Sequence, residues 1–181
     1  MTTLTKIALL AALVLIFSPA LGAGTKSCPV PGPAVEESYT WNFSTEVTKL
    51  LHEIEHEAPH VSEIAATLDI FIRMPFMFSK VSHAAELNNA KGHVNKIGDR
   101  LCRLHQVRRM AEPGQRKTMD ELKVTFSALA TDTERAIEFL NDRSRPTNLV
   151  DPVYGERLAG IYRESSFLRH ISEMTWQEDL P

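Results

Sequence analysis

From Val47 to Ile72, apolar side chains return at every third or fourth position, and nowhere does the chain alternate with period two. Val47, Leu50, Leu51, Ile54, Ala58, Val61, Ala65, Leu68 and Ile72 share one side of a helix that turns about 100° per residue. A stripe of this length with no strand to lie on has to be covered by other helices. Pro59 falls inside the run, where it removes a backbone donor and crowds the preceding turn. The apolar phase is the same on both sides of it, so the expectation is one kinked helix and not two unrelated ones. Asn42 or Ser44 can cap its start, and Pro75 helps to end it.

Three further stretches carry the same period. Leu87, Ala90, Val94, Ile97, Leu101 and Leu104 form the second, which Glu112-Pro113-Gly114 closes. Met119, Leu122, Phe126, Leu129, Ala136 and Leu140 form the third, with Thr133 in one core slot. The fourth opens at Asp151-Pro152, an N-cap followed by proline at the first helical position, and carries Tyr154, Leu158, Ile161, Ser165 and Leu168. Four helices of roughly 25 to 32 residues with short connections predict an all-α fold, an antiparallel four-helix bundle over residues 42–177.

The N-terminus follows different rules. Lys6 precedes the uncharged run Ile7–Phe17, Pro19 breaks it, and Ala20-Leu21-Gly22 offers small residues for cleavage. This order predicts a secretory signal over residues 1–22, because the run is too short for a membrane-spanning helix. Lys26 just before Cys28 does not suit a lipid-anchored cysteine. The expectation is a protein exported to the periplasm or the medium, with no transmembrane segment in its mature form. Residues 23–41 carry Pro29, Pro31 and Pro33, which favour an extended arm. In an exported chain Cys28 and Cys102 are candidates for a disulfide, which in the chain-entropy model contributes about 4 kcal/mol. Free thiols and an intermolecular pair stay open as alternatives.

His52-Glu53-Ile54-Glu55-His56 matches the H-E-x-x-H pattern, in which two histidines one turn apart bind zinc and the glutamate acts as general base. A chain of this composition contains the pattern by chance about once in forty. Helical phase turns His52, His56 and His60 away from the apolar stripe, and Glu55 charges the motif's interior. Glu53 is therefore a candidate base only on a minor reading. Glu53-x-x-His56 and Glu57-x-x-His60 have the form used by di-iron bundles, but both lie on one helix and face outward. His52 and His56 together with His170 and Met174 make a mixed imidazole and thioether set, suited to copper, nickel or cobalt. Those two faces would meet only across a homodimer, which stays open. His83 falls on a core position of the second helix, and Met74 and Met77 read as apolar plugs around Pro75-Phe76. A haem reading of these three is the weaker one.

Phosphate-binding glycine loops, a nucleophile elbow and paired-cysteine metal spacings are absent from the sequence. A net charge of −3 speaks against nucleic acid. It sums two opposite regions: 8 acids against 1 lysine from Glu36 to Ile72, and 8 bases against 2 acids from Lys91 to Lys117. Neighbouring helices of opposite charge account for this without a partner. Asn42-Phe43-Ser44 is a glycosylation sequon that reads here as a capping sequence. The functional expectation is a non-enzymatic exported bundle, without cofactor, that binds an unknown protein or cell-envelope component. An exported zinc-, copper- or nickel-binding protein that uses the His52, His56 and His60 row is the alternative, and a zinc metallopeptidase is a more distant one.

Overall fold

A computed structural model describes residues 43–142 and 149–177. The signal segment, the proline arm, Cys28 and Asn42 lie outside the described residues. Four helices account for nearly all of the rest: α1 (Phe43–Arg73), α2 (Lys80–Val107), α3 (Pro113–Asn141) and α4 (Pro152–Gln177). A 3₁₀ turn, Arg108–Met110, joins α2 to α3, and no strand occurs among the described residues.

Local chemistry sets the helix ends. The Ser79 hydroxyl accepts from the Ser82 N–H at 3.3 Å and starts α2. The Gln115 side chain reaches back to the Glu112 N–H at 3.2 Å, and Pro113 occupies the first turn of α3, where its missing donor costs nothing. Asp151 accepts from the Val153 N–H at 2.8 Å ahead of Pro152, as the sequence leads one to expect. α1 runs unbroken through Pro59.

Cross-helix pairs give the directions. Along α1, Glu46, Glu53 and Glu57 pair in turn with Arg103, Arg100 and Lys96, so α1 and α2 run antiparallel. Gly98 lies against Phe126, and Arg108 pairs with Asp120, so α2 and α3 do too. Asp132 pairs with Arg157 while Val124 and Phe167 share a cleft, which orients α4 against α3. α4 packs on α1 and closes the ring. All of these helices belong to one unit, Val35–Pro181.

The α1 stripe is buried from Val47 to Leu68, and Ile64 joins it. Leu87, Ala90, Val94, Ile97, Leu104, Met119, Leu122, Leu129, Ala136, Leu140, Tyr154, Leu158, Ile161 and Leu168 complete the predicted core. Burying one such leucine contributes about 2 kcal/mol. Thr133 and Ser165 are buried as well, and each hydroxyl donates to a carbonyl one turn back, at 2.8 and 2.7 Å. Three expected core residues, Ile72, Leu101 and Phe126, are only half-buried and pack against the core from its margin. Beside Phe126 it is Thr125 that turns fully inward. Phe126 covers Gly98 instead, where a Cβ would stand 2.9 Å from its ring. The missing side chain lets α2 approach α3 at that level.

The connection between α1 and α2 departs most from expectation. Met74 and Met77 do not plug the core: they are 40% and 74% exposed, and Phe76 between them is entirely exposed. Phe78 fills the space instead, stacking on Phe71 with ring centroids 3.8 Å apart. The loop Met74–Met77 therefore projects past the ends of both helices.

Candidate functional site

α1 carries its acidic and histidine residues in two adjacent rows, and helical phase sends them to different neighbours. Glu53 and Glu57 turn toward α2. The Arg100 Nε donates to Glu53 Oε2 at 2.6 Å, and Lys96 Nζ donates to both oxygens of Glu57 at 3.3 Å. The acidic helix thus meets the basic one, as opposite charges on adjacent helices require. His52 and His56 are exposed, and His60 is half-buried. Within the H-E-x-x-H pattern the glutamate faces α2 and an arginine, while the histidines face solvent.

The side chains that do gather are His56, His60, Glu57 and a residue the sequence reading passed over, His93 of α2. The His60 ring lies 5.5 Å from that of His56 and 5.0 Å from that of His93, centroid to centroid. His93 Nδ1 lies 2.6 Å from Glu57 Oε2. Burial opposes ionisation of the Glu57 carboxyl, but the bonds from His93 and Lys96 outweigh it and hold its pKa below the usual carboxylate range. An ionised carboxylate only accepts, so His93 Nδ1 carries the proton. In the neutral ring this leaves the lone pair on Nε2. Glu63 Oε2 lies 4.0 Å from His60 Nδ1. No periodicity within one helix could have revealed His93. Its place beside His60 follows from the six-residue connection between α1 and α2, which sets their register.

At the start of α2, His83 lies fully buried. Its Nδ1 and the Tyr154 hydroxyl of α4 are 3.0 Å apart, Phe71 of α1 lies edge-on to its ring, and Tyr154 stacks on Phe139 of α3. Nε2 has no hydrogen-bond partner in the protein. Burial lowers the His83 pKa and raises that of Tyr154, so both groups are neutral at pH 7. These contacts join the last turn of α1 to the first turns of α2 and α4, which places all three at one end of the bundle. Those turns also carry exposed apolar residues, Ile70, Val81 and Val153. Met74 and Met77, the sulfur residues of the haem reading, face outward there and not toward His83.

Three clefts lie along α3 and α4. One of about 720 Å³ is lined by Arg108, Arg116, Asp120, Val124 and Phe167. In it Arg108 and Asp120 pair at 2.6 Å, which raises the guanidinium's pKa and lowers the carboxyl's through their hydrogen bond. His170 and Met174 are exposed on α4, His170 in a depression with Tyr162 and Phe167. Neither His52, His56 nor Glu53 lines these clefts. Among the described residues no group of three or more His, Cys, Asp or Glu side chains is placed to hold a metal ion. His170 is thus not assembled with the α1 histidines. Cys102 is half-buried on α2, and its candidate partner Cys28 lies outside the described residues. No described helix is long and apolar enough to cross a membrane.

Compared with protein-family models, with curated proteins and with solved structures, the chain matches none.

Proposed function

We propose that this chain is an exported, non-enzymatic helical-bundle protein that binds a component of the cell envelope, and that the component is the surface of a lipid bilayer. The observation that carries the reading is the projecting loop Met74-Pro75-Phe76-Met77, with Phe76 102% and Met77 74% exposed. An exposed apolar cluster of this kind normally serves an interaction. The loop is convex and its side chains offer no hydrogen-bonding group, which suits partition into the apolar margin of a bilayer more than recognition by a polar-rimmed protein pocket. Arg73, which pairs with Asp69 at 2.8 Å, and Lys80 flank the loop in sequence. Transfer of Phe76 and Met77 from water is worth about 2 kcal/mol each, enough for reversible attachment. In this reading the signal segment exports the chain, the proline arm is a spacer, and a Cys28–Cys102 bridge fastens the arm to α2.

Vesicle co-sedimentation of the purified chain tests the proposal. Binding to phosphatidylglycerol-containing vesicles is expected, with at least a tenfold loss in a Phe76→Ser/Met77→Ser variant of unchanged helicity. Equal sedimentation of the two proteins overturns it. So does concentration-dependent dimerisation that the same double variant abolishes without any vesicle binding, which would make a second copy the occupant.

A further inference from the structure

We propose that His56 and His60 of α1 and His93 of α2 bind one divalent transition-metal ion of the zinc, copper and nickel class, with Glu57 orienting His93 from behind. The site does not depend on the bilayer reading. It lies on the α1/α2 seam, away from the Phe76 loop.

Spacing comes first. A metal about 2.1 Å from each of two imidazole nitrogens at tetrahedral angles holds the ring centroids about 5 Å apart. The two ring pairs stand at 5.5 and 5.0 Å, with His60 in the middle. Tautomer comes second. Glu57 Oε2 engages His93 through Nδ1 at 2.6 Å and so leaves Nε2 as the nitrogen for a metal, the carboxylate–histidine arrangement that metal sites use to aim a ligand. His93 is also the ring already held in place, its side chain only 19% exposed. Charge comes third. Lys96 brings one positive charge close to the site, while Glu57 and Glu63 bring two negative ones.

The three rings are not yet placed to hold an ion. Binding requires His56 and His60 to turn about their side-chain bonds toward the fixed His93. Both have room to do so: His56 is exposed and the His60 side chain is 44% exposed. Moving between staggered side-chain positions on a solvent-facing surface is a small cost beside three metal–nitrogen bonds. The nitrogen-only donor set selects borderline metals over calcium or magnesium, which take oxygen ligands. The fourth position is left to solvent.

Titration calorimetry of the tag-free chain with zinc chloride and nickel chloride tests the site, with circular dichroism confirming each variant's fold. One ion per chain is expected. His60→Gln and His93→Gln should each weaken binding at least tenfold, and Glu57→Gln, which removes no ligand, about tenfold. His170→Gln should leave it unchanged. Failure of the parent chain to bind, or equal binding by His60→Gln and the parent, overturns the site. So does loss of binding in His52→Gln with full retention in His93→Gln, because the metal would then sit on α1 alone.

Discussion

His83 and His93 lie on the same helix, and each bonds through Nδ1 to a side chain of another helix, yet they do opposite things. His83 is sealed between Phe71 and Tyr154, its partner is a phenol, and burial keeps it neutral. His93 sits at the edge of the α1/α2 seam against an ionised carboxylate. The first ring has exchanged its titration for a place in the core. The second stands at the seam beside another imidazole, the His60 ring 5.0 Å away. What separates them is burial, which helical phase sets, together with the partner each meets across the bundle.

The sharpest way to break this contrast is to remove the buried partner. Tyr154 is fully buried, stacks on Phe139 and bonds His83. Tyr154→Ala is expected to lower unfolding free energy by about 3–5 kcal/mol in urea denaturation, a large share of the roughly 5–15 kcal/mol a domain of this size has. Tyr154→Phe keeps the packing and deletes only the hydroxyl, leaving both His83 nitrogens without a partner. It should cost about 1–3 kcal/mol. At the seam, where water can replace a lost partner, His93→Gln should cost less than either.

Acidification separates the two regions by where it acts. The folded pKa of His83 lies below its ordinary 6.5, so the unfolded chain takes up the proton first. Its contribution to stability is complete above pH 6.5 and is lost as pH falls below that value toward the folded pKa. Glu57 also has a lowered pKa, and its contribution, complete above the ordinary 4.5, is lost only as pH falls below that. Urea midpoints measured against pH should therefore show an upper slope that His83→Leu flattens and Glu57→Gln retains. The lower slope should respond in the reverse sense. One slope flattened by both substitutions would mean that the two regions do not respond to acid separately.

The same contrast explains what the sequence could and could not reveal. The stripe from Val47 to Leu68 is buried as its phase requires, because phase is a property of one helix and the bundle adds only a cover. His83 was visible as a core position for that reason. Phe126 shows the limit of phase: a step of about 100° leaves two adjacent residues competing for one inward position, and the bare backbone at Gly98 decided the matter by admitting the ring at the margin. The His60–His93 approach and the exposure of Phe76 belong to a further level. Both depend on how the connection after α1 turns, and its apolar content pointed inward until Phe78 took the place beside Phe71. The outward phase of His52 and His56 was legible, but the engagement of Glu53 needed α2 beside it.

The smallest expected effect tests Glu53 against Glu57, one turn away on the same face. Glu53 accepts from Arg100 at 2.6 Å, with both side chains about a third exposed, 29% and 31%. Pairs at that exposure contribute about 1 kcal/mol or less, because water screens the attraction and both side chains lose freedom. Glu53→Gln should therefore shift the urea midpoint only slightly, and a double-mutant cycle with Arg100→Ala should return a coupling within that limit. Glu57→Gln removes a comparable charge, yet it also frees His93 to change tautomer. It should weaken zinc about tenfold where Glu53→Gln leaves affinity unchanged. Equal affinities in the two variants would make Glu57 one more surface charge and return the His93 ring to the ordinary seam between an acidic and a basic helix. Zinc-dependent peptide cleavage lost in Glu53→Gln would instead assign that carboxylate the general-base role its sequence pattern implies.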